Sequence, residues 1–268
     1  MAMTQENSFS RTRALGILLV FALILCFWQL LPEEDPSGYF QFIDDRSYFG
    51  IPSFWNVISN FGFLSVGLMA LWQERFSTMD FNYRGFRLWI AFGILWTAWG
   101  SSYFHWHPDA MTIFWDRIPM MAVFSGVFGL IIADKFSARG GWVFAATCMI
   151  VGSLSLILWK YHLSHLKVYF IIQYLGLLLS FGSVIMFRKR GVLPQNLLLI
   201  SIGFYVLAKL SELGDRQIFL FGPSATSPWR LSGHSVKHLL AAQSIWILLQ
   251  ATKKVSPAPI ADPTQTNE

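Results

Sequence analysis

Charge is scarce in this sequence. Only 13% of its 268 residues are Asp, Glu, Lys or Arg, about half the usual share of a soluble chain. So few charges cannot solvate a surface when 54% of the residues are hydrophobic, which excludes an ordinary water-exposed domain and a disordered chain alike. Cysteine is nearly missing. Cys26 and Cys148 cannot build a disulfide scaffold, and each sits inside an apolar run, so both read as small buried hydrophobes. Internal repeats and a second domain are lacking too. Without a repeat or a pair of broken helices, a transporter has no support.

What is abundant is apolar and aromatic. The chain has 25 Phe and 12 Trp, an aromatic share of 17% and a mean hydropathy of +0.47. Apolar runs close to the ~20 residues needed to cross a bilayer recur at 14–32, 54–72, 87–106, 113–133, 142–159, 166–187, 196–213 and 235–251. The expectation is an all-α, polytopic membrane bundle: a seven-helix core over 45–252 plus one extra N-terminal helix over 14–32. Arg11 and Arg13 precede the first run in the manner of a signal peptide, but Gln29-Leu30-Leu31-Pro32 is too bulky for cleavage, so a retained anchor is expected. Residues 1–13 form a short leading segment, and the polar tail 255–268 is expected to be disordered.

Lys and Arg set the orientation, because cytoplasmic loops hold an excess of them. Eight spans put both termini on one side, together with Arg75, Arg84, Arg87, Lys135, Arg139, Arg188, Lys189, Arg190, Lys253 and Lys254. The opposite loops hold Arg46, Lys160, Lys167, Arg216 and Arg230, along with the acidic Glu33-Glu34-Asp35 and Asp44-Asp45. Both termini are therefore expected in the cytoplasm. The net charge of +5 is a topology signal, and no nucleic-acid partner is expected.

Ionisable groups inside a bilayer are costly and so point to function. His234 and His238 are four apart, on one face of a helix. His105 closes the third span. Three neutral imidazoles and a water complete a tetrahedral catalytic zinc site. Asp116 opens the fourth span, and Ser101 lies one turn below His105, so all five fall in the outer leaflet at similar depth. From spacing alone, Asp116 beside Arg117 also fits a local ion pair near a helix N-terminus, and Ser101 fits a small packing residue. His107, His162 and His165 read as surface histidines. Asn56, Ser59 and Asn60 share a stripe that faces the bundle interior. Lys209, Glu212 and Asp215 either pair with one another or touch the site.

These residues resemble the alkaline ceramidase family, within the wider CREST superfamily of seven-helix membrane hydrolases. The resemblance rests on Phe54-Trp55-Asn56 with Ser59-Asn60, Gly100-Ser101 followed by Phe104-His105, Asp116-Arg117-Ile118-Pro119-Met120, and His234-x-x-x-His238. It covers residues 45–250. It implies that His105, His234 and His238 bind zinc, that Asp116 contacts the zinc water and that Ser101 sits beside it. Calcium is not carried over: the family has a Glu before Phe-Trp-Asn where this chain has Ser53, and its acidic loop is longer.

The expectation is thus a zinc-dependent integral-membrane amide hydrolase acting on ceramide or a related lipid amide. Asp116 would be its general base and Ser101 an oxyanion donor, with the site near the non-cytoplasmic leaflet. The partners expected are that substrate and bilayer lipids, with no protein partner. An alternative is a zinc-containing seven-helix receptor of the progestin and adipoQ type, whose core is expected to insert the other way. A b-type haem carrier suits the ligands less well, since two of them lie one turn apart on one helix.

Overall fold

The computed structural model describes residues 23–26, 28–31, 42–75, 79–221, 227–253 and 255. Among these the chain is all-helical apart from one isolated bridge between Tyr48 and Ile51. Residues 23–26 and 28–30 are helical, and the helices that follow are α1 (Phe54–Ile58), α2 (Phe61–Glu74), α3 (Phe81–Trp106), α4 (Ala110–Lys135), α5 (Ala138–Lys160), α6 (Lys167–Met186), α7 (Gln195–Leu213), α8 (Asp215–Phe221) and α9 (Gly233–Thr252). Five stretches are long and apolar enough to cross a membrane: α1 with α2, then α4, α5, α6 and α7. Their flanks expose large apolar side chains such as Leu68, Ile150, Leu154, Leu199 and Leu210, a surface fit for lipid rather than water. Helices α3 and α9, with 26 and 20 residues, are long enough to span as well. They are the ones that carry the histidines and much of the buried polar chemistry, which lowers their apolarity.

Several expectations change at the level of local structure. The second run is interrupted at Ser59-Asn60 between α1 and α2, and the short α8 was not foreseen. Cys148 is buried, but Cys26 is exposed: an apolar run at the edge of a bundle turns part of its surface outward. Arg87 and Lys135 are not loop charges. Arg87 is fully buried, paired with Glu74, and it donates to Gln73 Oε1 at 2.7 Å, to Thr252 Oγ1 at 3.1 Å and to the Leu249 carbonyl. Lys135 is clamped between Asp134 at 2.9 Å and the Arg190 carbonyl at 2.8 Å. Burial without such partners would cost several kcal/mol per ion. Residues 1–22, 27, 32–41 and 256–268, and with them the leading segment, most of the first expected span, the acidic Glu33-Glu34-Asp35 and nearly all of the tail, lie outside the described residues.

Helix α4 is the hub. It packs along α3 on one side and α5 on the other, and touches α6. Helix α9 is held between α7 and α2, while α6 and α7 hardly touch although they are consecutive. At the α3–α4 crossing a Cβ added to Gly100 would lie 2.1 Å from the Trp115 carbonyl oxygen. Pro119, inside α4, lacks the N–H that would otherwise bond that oxygen, so a Cα hydrogen of Gly100 faces a freed acceptor. This backbone-to-backbone contact falls one residue from Ser101 and one residue from Asp116. The turn between them is tightened by Asp109, whose carboxylate accepts from Met111 N at 2.8 Å and Thr112 N at 2.6 Å in a capping box.

Candidate metal centre

Helix α9 brings two of the histidines to the bundle interior, and its first turn is pinned from three directions. Ser232 caps it by accepting from Ser235 N at 3.1 Å. Asp215, heading α8, accepts the backbone N–H of His234 at 2.7 Å. Burial raises the Asp215 carboxyl above its ordinary value, and the His234 N–H pulls it partly back. Asn56, wholly buried on α1, accepts from Ser235 Oγ at 2.8 Å while donating to the Asp44 carbonyl at 3.2 Å. Gly233 permits the crowding, since a Cβ there would come within 2.1 Å of the Ser211 carbonyl.

His105, His234 and His238 meet. One ring nitrogen from each lies within 4.8 Å of the others, and the Nε2 atoms of His105 and His234 are 3.2 Å apart. Two ligands at ~2.05 Å from a tetrahedral centre sit about 3.3 Å from each other, so that pair already has the spacing of one edge of a zinc tetrahedron. His105 and His238 are 1% and 3% exposed; His234 is partly exposed. The Ser59 hydroxyl donates to the Asn56 carbonyl at 3.1 Å and stands 2.8 Å from His238 Nδ1. With its hydrogen given to Asn56, Ser59 can accept from Nδ1–H, an arrangement that leaves the Nε2 lone pair of His238 for a metal. Nδ1 of His105 is buried without a partner. A set of neutral imidazoles, one oriented from behind by a hydroxyl, can hold a metal ion.

Of the other expected site residues, Ser101 is 2% exposed, one turn before His105 on the same buried face. Asp116 is 6% exposed and faces Arg117 at 3.8 Å, and it is not among the residues whose donor atoms converge within the 4.8 Å cluster. Asn56, Ser59 and Asn60 are all buried, as their stripe implies. His107, His162 and His165 are exposed surface residues. Lys209, Glu212 and Asp215 do both things expected of them: Glu212 pairs with Lys209 at 2.5 Å, and Asp215 holds the backbone of His234.

Three contributors were not legible beforehand. Lys237 brings its ammonium to 3.2 Å from His234 Nε2 and to 2.8 Å from Glu212 Oε1. Phe42 lays its ring on the site, 4.7 Å from the His105 ring centre and 5.5 Å from that of His234. Arg46 clasps the Phe42 segment to the loop before α9: it binds Asp44 at 2.7 and 2.9 Å, the Ser227 carbonyl at 2.9 Å and the Arg230 carbonyl. Asp44 holds that guanidinium more firmly protonated than usual. Trp55 completes the clasp by donating to the Pro228 carbonyl at 2.7 Å. The Phe-Trp-Asn triplet thus has a physical task, to fasten the chain just ahead of His234. The spacing of Lys237 on the histidine face was the one available signal. Phe42 and Arg46 had none.

Comparison with protein-family models, with curated proteins and with solved structures finds no match.

Proposed function

We infer that the chain is a metal-dependent integral-membrane hydrolase that cleaves the amide bond of an N-acyl lipid such as ceramide. The convergence of three imidazoles from α3 and α9 within 4.8 Å carries the reading, and the ordered motifs shared with alkaline ceramidases give it a reaction class. The core of seven helices counts α1 with α2 as one span, then α3 to α7 and α9.

The metal assigned is zinc, which when bound supplies a Lewis acid and brings the pKa of a water toward ~7. His105, His234 and His238 would hold it, with Ser59 keeping the His238 ring in place. Asp116 takes the proton of the attacking water on a carboxylate oxygen and returns it to the leaving amine nitrogen. The Ser101 hydroxyl donates to the carbonyl oxygen as negative charge builds there. Phe42 excludes bulk water from above. The Lys/Arg bias orients this end of the bundle away from the cytoplasm, which favours a ceramidase-type hydrolase over the oppositely inserted receptor. Labelling of a cysteine introduced at 188–190 only after permeabilisation is the expected result; labelling in intact cells would reverse the orientation.

Metal analysis of the purified protein, with lipid-amide turnover before and after chelation, tests the reading. Zinc near one per chain and turnover that chelation abolishes are expected. In Asp116→Asn the metal should stay and kcat fall by about 10²–10⁴-fold, the range for a lost general base. Unchanged kcat in that variant removes Asp116 from the mechanism. Absence of metal-dependent turnover leaves the receptor.

A further inference from the structure

The end of the bundle opposite the histidines is built around a buried ion pair. Asp134 and Lys135 close α4 there, 2.9 Å apart. Asp134 Oδ1 accepts from the backbone N–H groups of Val192 and Leu193 at 2.8 and 3.0 Å and from the Tyr83 hydroxyl at 3.1 Å. Lys135 donates to the Arg190 carbonyl at 2.8 Å, and Phe136 meets Phe187 edge-on with ring centres 4.8 Å apart. The turn after α6 is thereby bent onto the end of α4. Gly191, at φ +86°, makes the bend, and a Cβ there would lie 2.2 Å from Asp134 Oδ2.

What these fastened turns present outward is positive. Arg188, Lys189 and Arg190 after α6 and Arg139 at the start of α5 are all exposed, and none forms an ion pair among the described residues. Asp134 is the one carboxylate in residues 134–141 and 186–195. Lys135 and the backbone N–H groups already use it, so the four exposed cations stand unbalanced. Arg139 even occupies the first turn of α5, where the positive end of a helix disfavours a cation and favours an anion. Exposed Phe136, Met186 and Val192 sit among these charges, and such a mixture of apolar and basic side chains suits the level of lipid headgroups. A topology signal needs only the number of charges, on a loop of any shape. Here the backbone carrying them is ordered before a ligand arrives, which reduces the entropy lost on binding.

We propose that the joined α4–α5 and α6–α7 turns are a docking platform for anionic phospholipid headgroups of the adjoining leaflet, gripped by Arg139, Arg188, Lys189 and Arg190. The ligand is a lipid phosphate with net negative charge, which guanidinium groups bind through paired N–H donors. A choline lipid, whose ammonium cancels its phosphate, is disfavoured. Neither the metal centre nor amide hydrolysis is needed for this binding.

The test uses the full chain in neutral detergent, titrated with phosphatidylglycerol, phosphatidylcholine or inorganic phosphate. Retained lipid is counted by native mass spectrometry, and the thermal unfolding midpoint is followed in parallel. Wild type is expected to bind phosphatidylglycerol at least about tenfold more tightly than phosphatidylcholine, and less tightly as salt rises. Arg188→Gln combined with Arg190→Gln should weaken phosphatidylglycerol binding by about 25-fold, about fivefold for each cation near an anionic surface. Its unfolding midpoint without lipid should match wild type, since both side chains are exposed. Arg216→Gln, which removes an exposed cation at the histidine end, should bind as wild type does. Gly191→Ala keeps every charge but forces the turn off Asp134, and should weaken binding by about threefold or more. Equal affinity for phosphatidylglycerol in wild type and the Arg188→Gln, Arg190→Gln protein overturns the proposal, as does a wild type with no preference over phosphatidylcholine. Inorganic phosphate bound as tightly as phosphatidylglycerol overturns it too, because the turns would then read a free anion. Undiminished binding by Gly191→Ala refutes the part given to the fastened turn.

Discussion

His238→Ala is expected to purify as a folded helical protein that binds no metal and, on the hydrolase reading proposed above, turns over no lipid amide above background. Nothing else described in the site can replace the ligand, because the remaining imidazoles come singly from α3 and from the first turn of α9, and the donor cluster contains no carboxylate. Two-ligand sites hold zinc poorly in a geometry that wants four, so metal affinity should fall well beyond about 100-fold, the upper range for losing only a supporting group. Ser59→Ala supplies that lesser case. It leaves all three imidazoles but removes the acceptor 2.8 Å from His238 Nδ1, and should weaken metal binding by about 10–100-fold with kcat of the fully loaded enzyme little changed. Metal titration against a competing chelator, with circular dichroism as the folding check, measures both. Undiminished hydrolysis by His238→Ala protein prepared free of metal would falsify the three-histidine centre.

Gly100→Ala is expected to be strongly damaging. Its Cβ would sit 2.1 Å from the Trp115 oxygen, 3.0 Å from the Trp115 carbon and 3.2 Å from Pro119 Cγ. The first two are backbone atoms, so no rotamer change relieves the overlap. Helices α3 and α4 must part, and overpacking that moves backbone costs at the upper end of about 1–3 kcal/mol or more. The displacement falls beside Ser101 and Asp116 and one turn from His105, so turnover should drop even in the fraction that stays folded. Gly182→Ala is the control: no atom lies within 4 Å of a Cβ there, and the better helix former should leave the unfolding midpoint unchanged or higher. Thermal unfolding in detergent compares the two, and equal midpoints would place the α3–α4 contact elsewhere.

Much of the fold was legible because it is written in one dimension. Apolar runs long enough for a bilayer, Lys and Arg gathered between alternate pairs of them, and the scarcity of charge elsewhere require no knowledge of which helix neighbours which. The break at Ser59-Asn60 was not legible, since both residues sit inside a run that is apolar enough to read as a single helix. Arg87 misled for a related reason: a cation near the end of a span looks like a loop charge until Glu74, Gln73 and Thr252 are seen around it. In the site, the i, i+4 spacing of His234 and His238 and the polar stripe of Asn56, Ser59 and Asn60 were visible because neighbours along a helix share a face. Glu212 and Lys237 stand 25 residues apart on different helices, and no local pattern couples them.

Sequence alone determined that this chain is a helical membrane protein with imidazoles at one depth, because hydropathy and helical periodicity act over a single turn or a single span. Only the tertiary structure turned the expected grouping of His105 with two histidines 129 and 133 positions away into a contact, and only it decided that Ser59 stands behind one of them and that Lys237 and Phe42 close the same space. Those pairings depend on which helices can approach most nearly. That was settled where Gly100 and Gly233 let backbone meet backbone, a condition no stretch of sequence reveals until its partner is known.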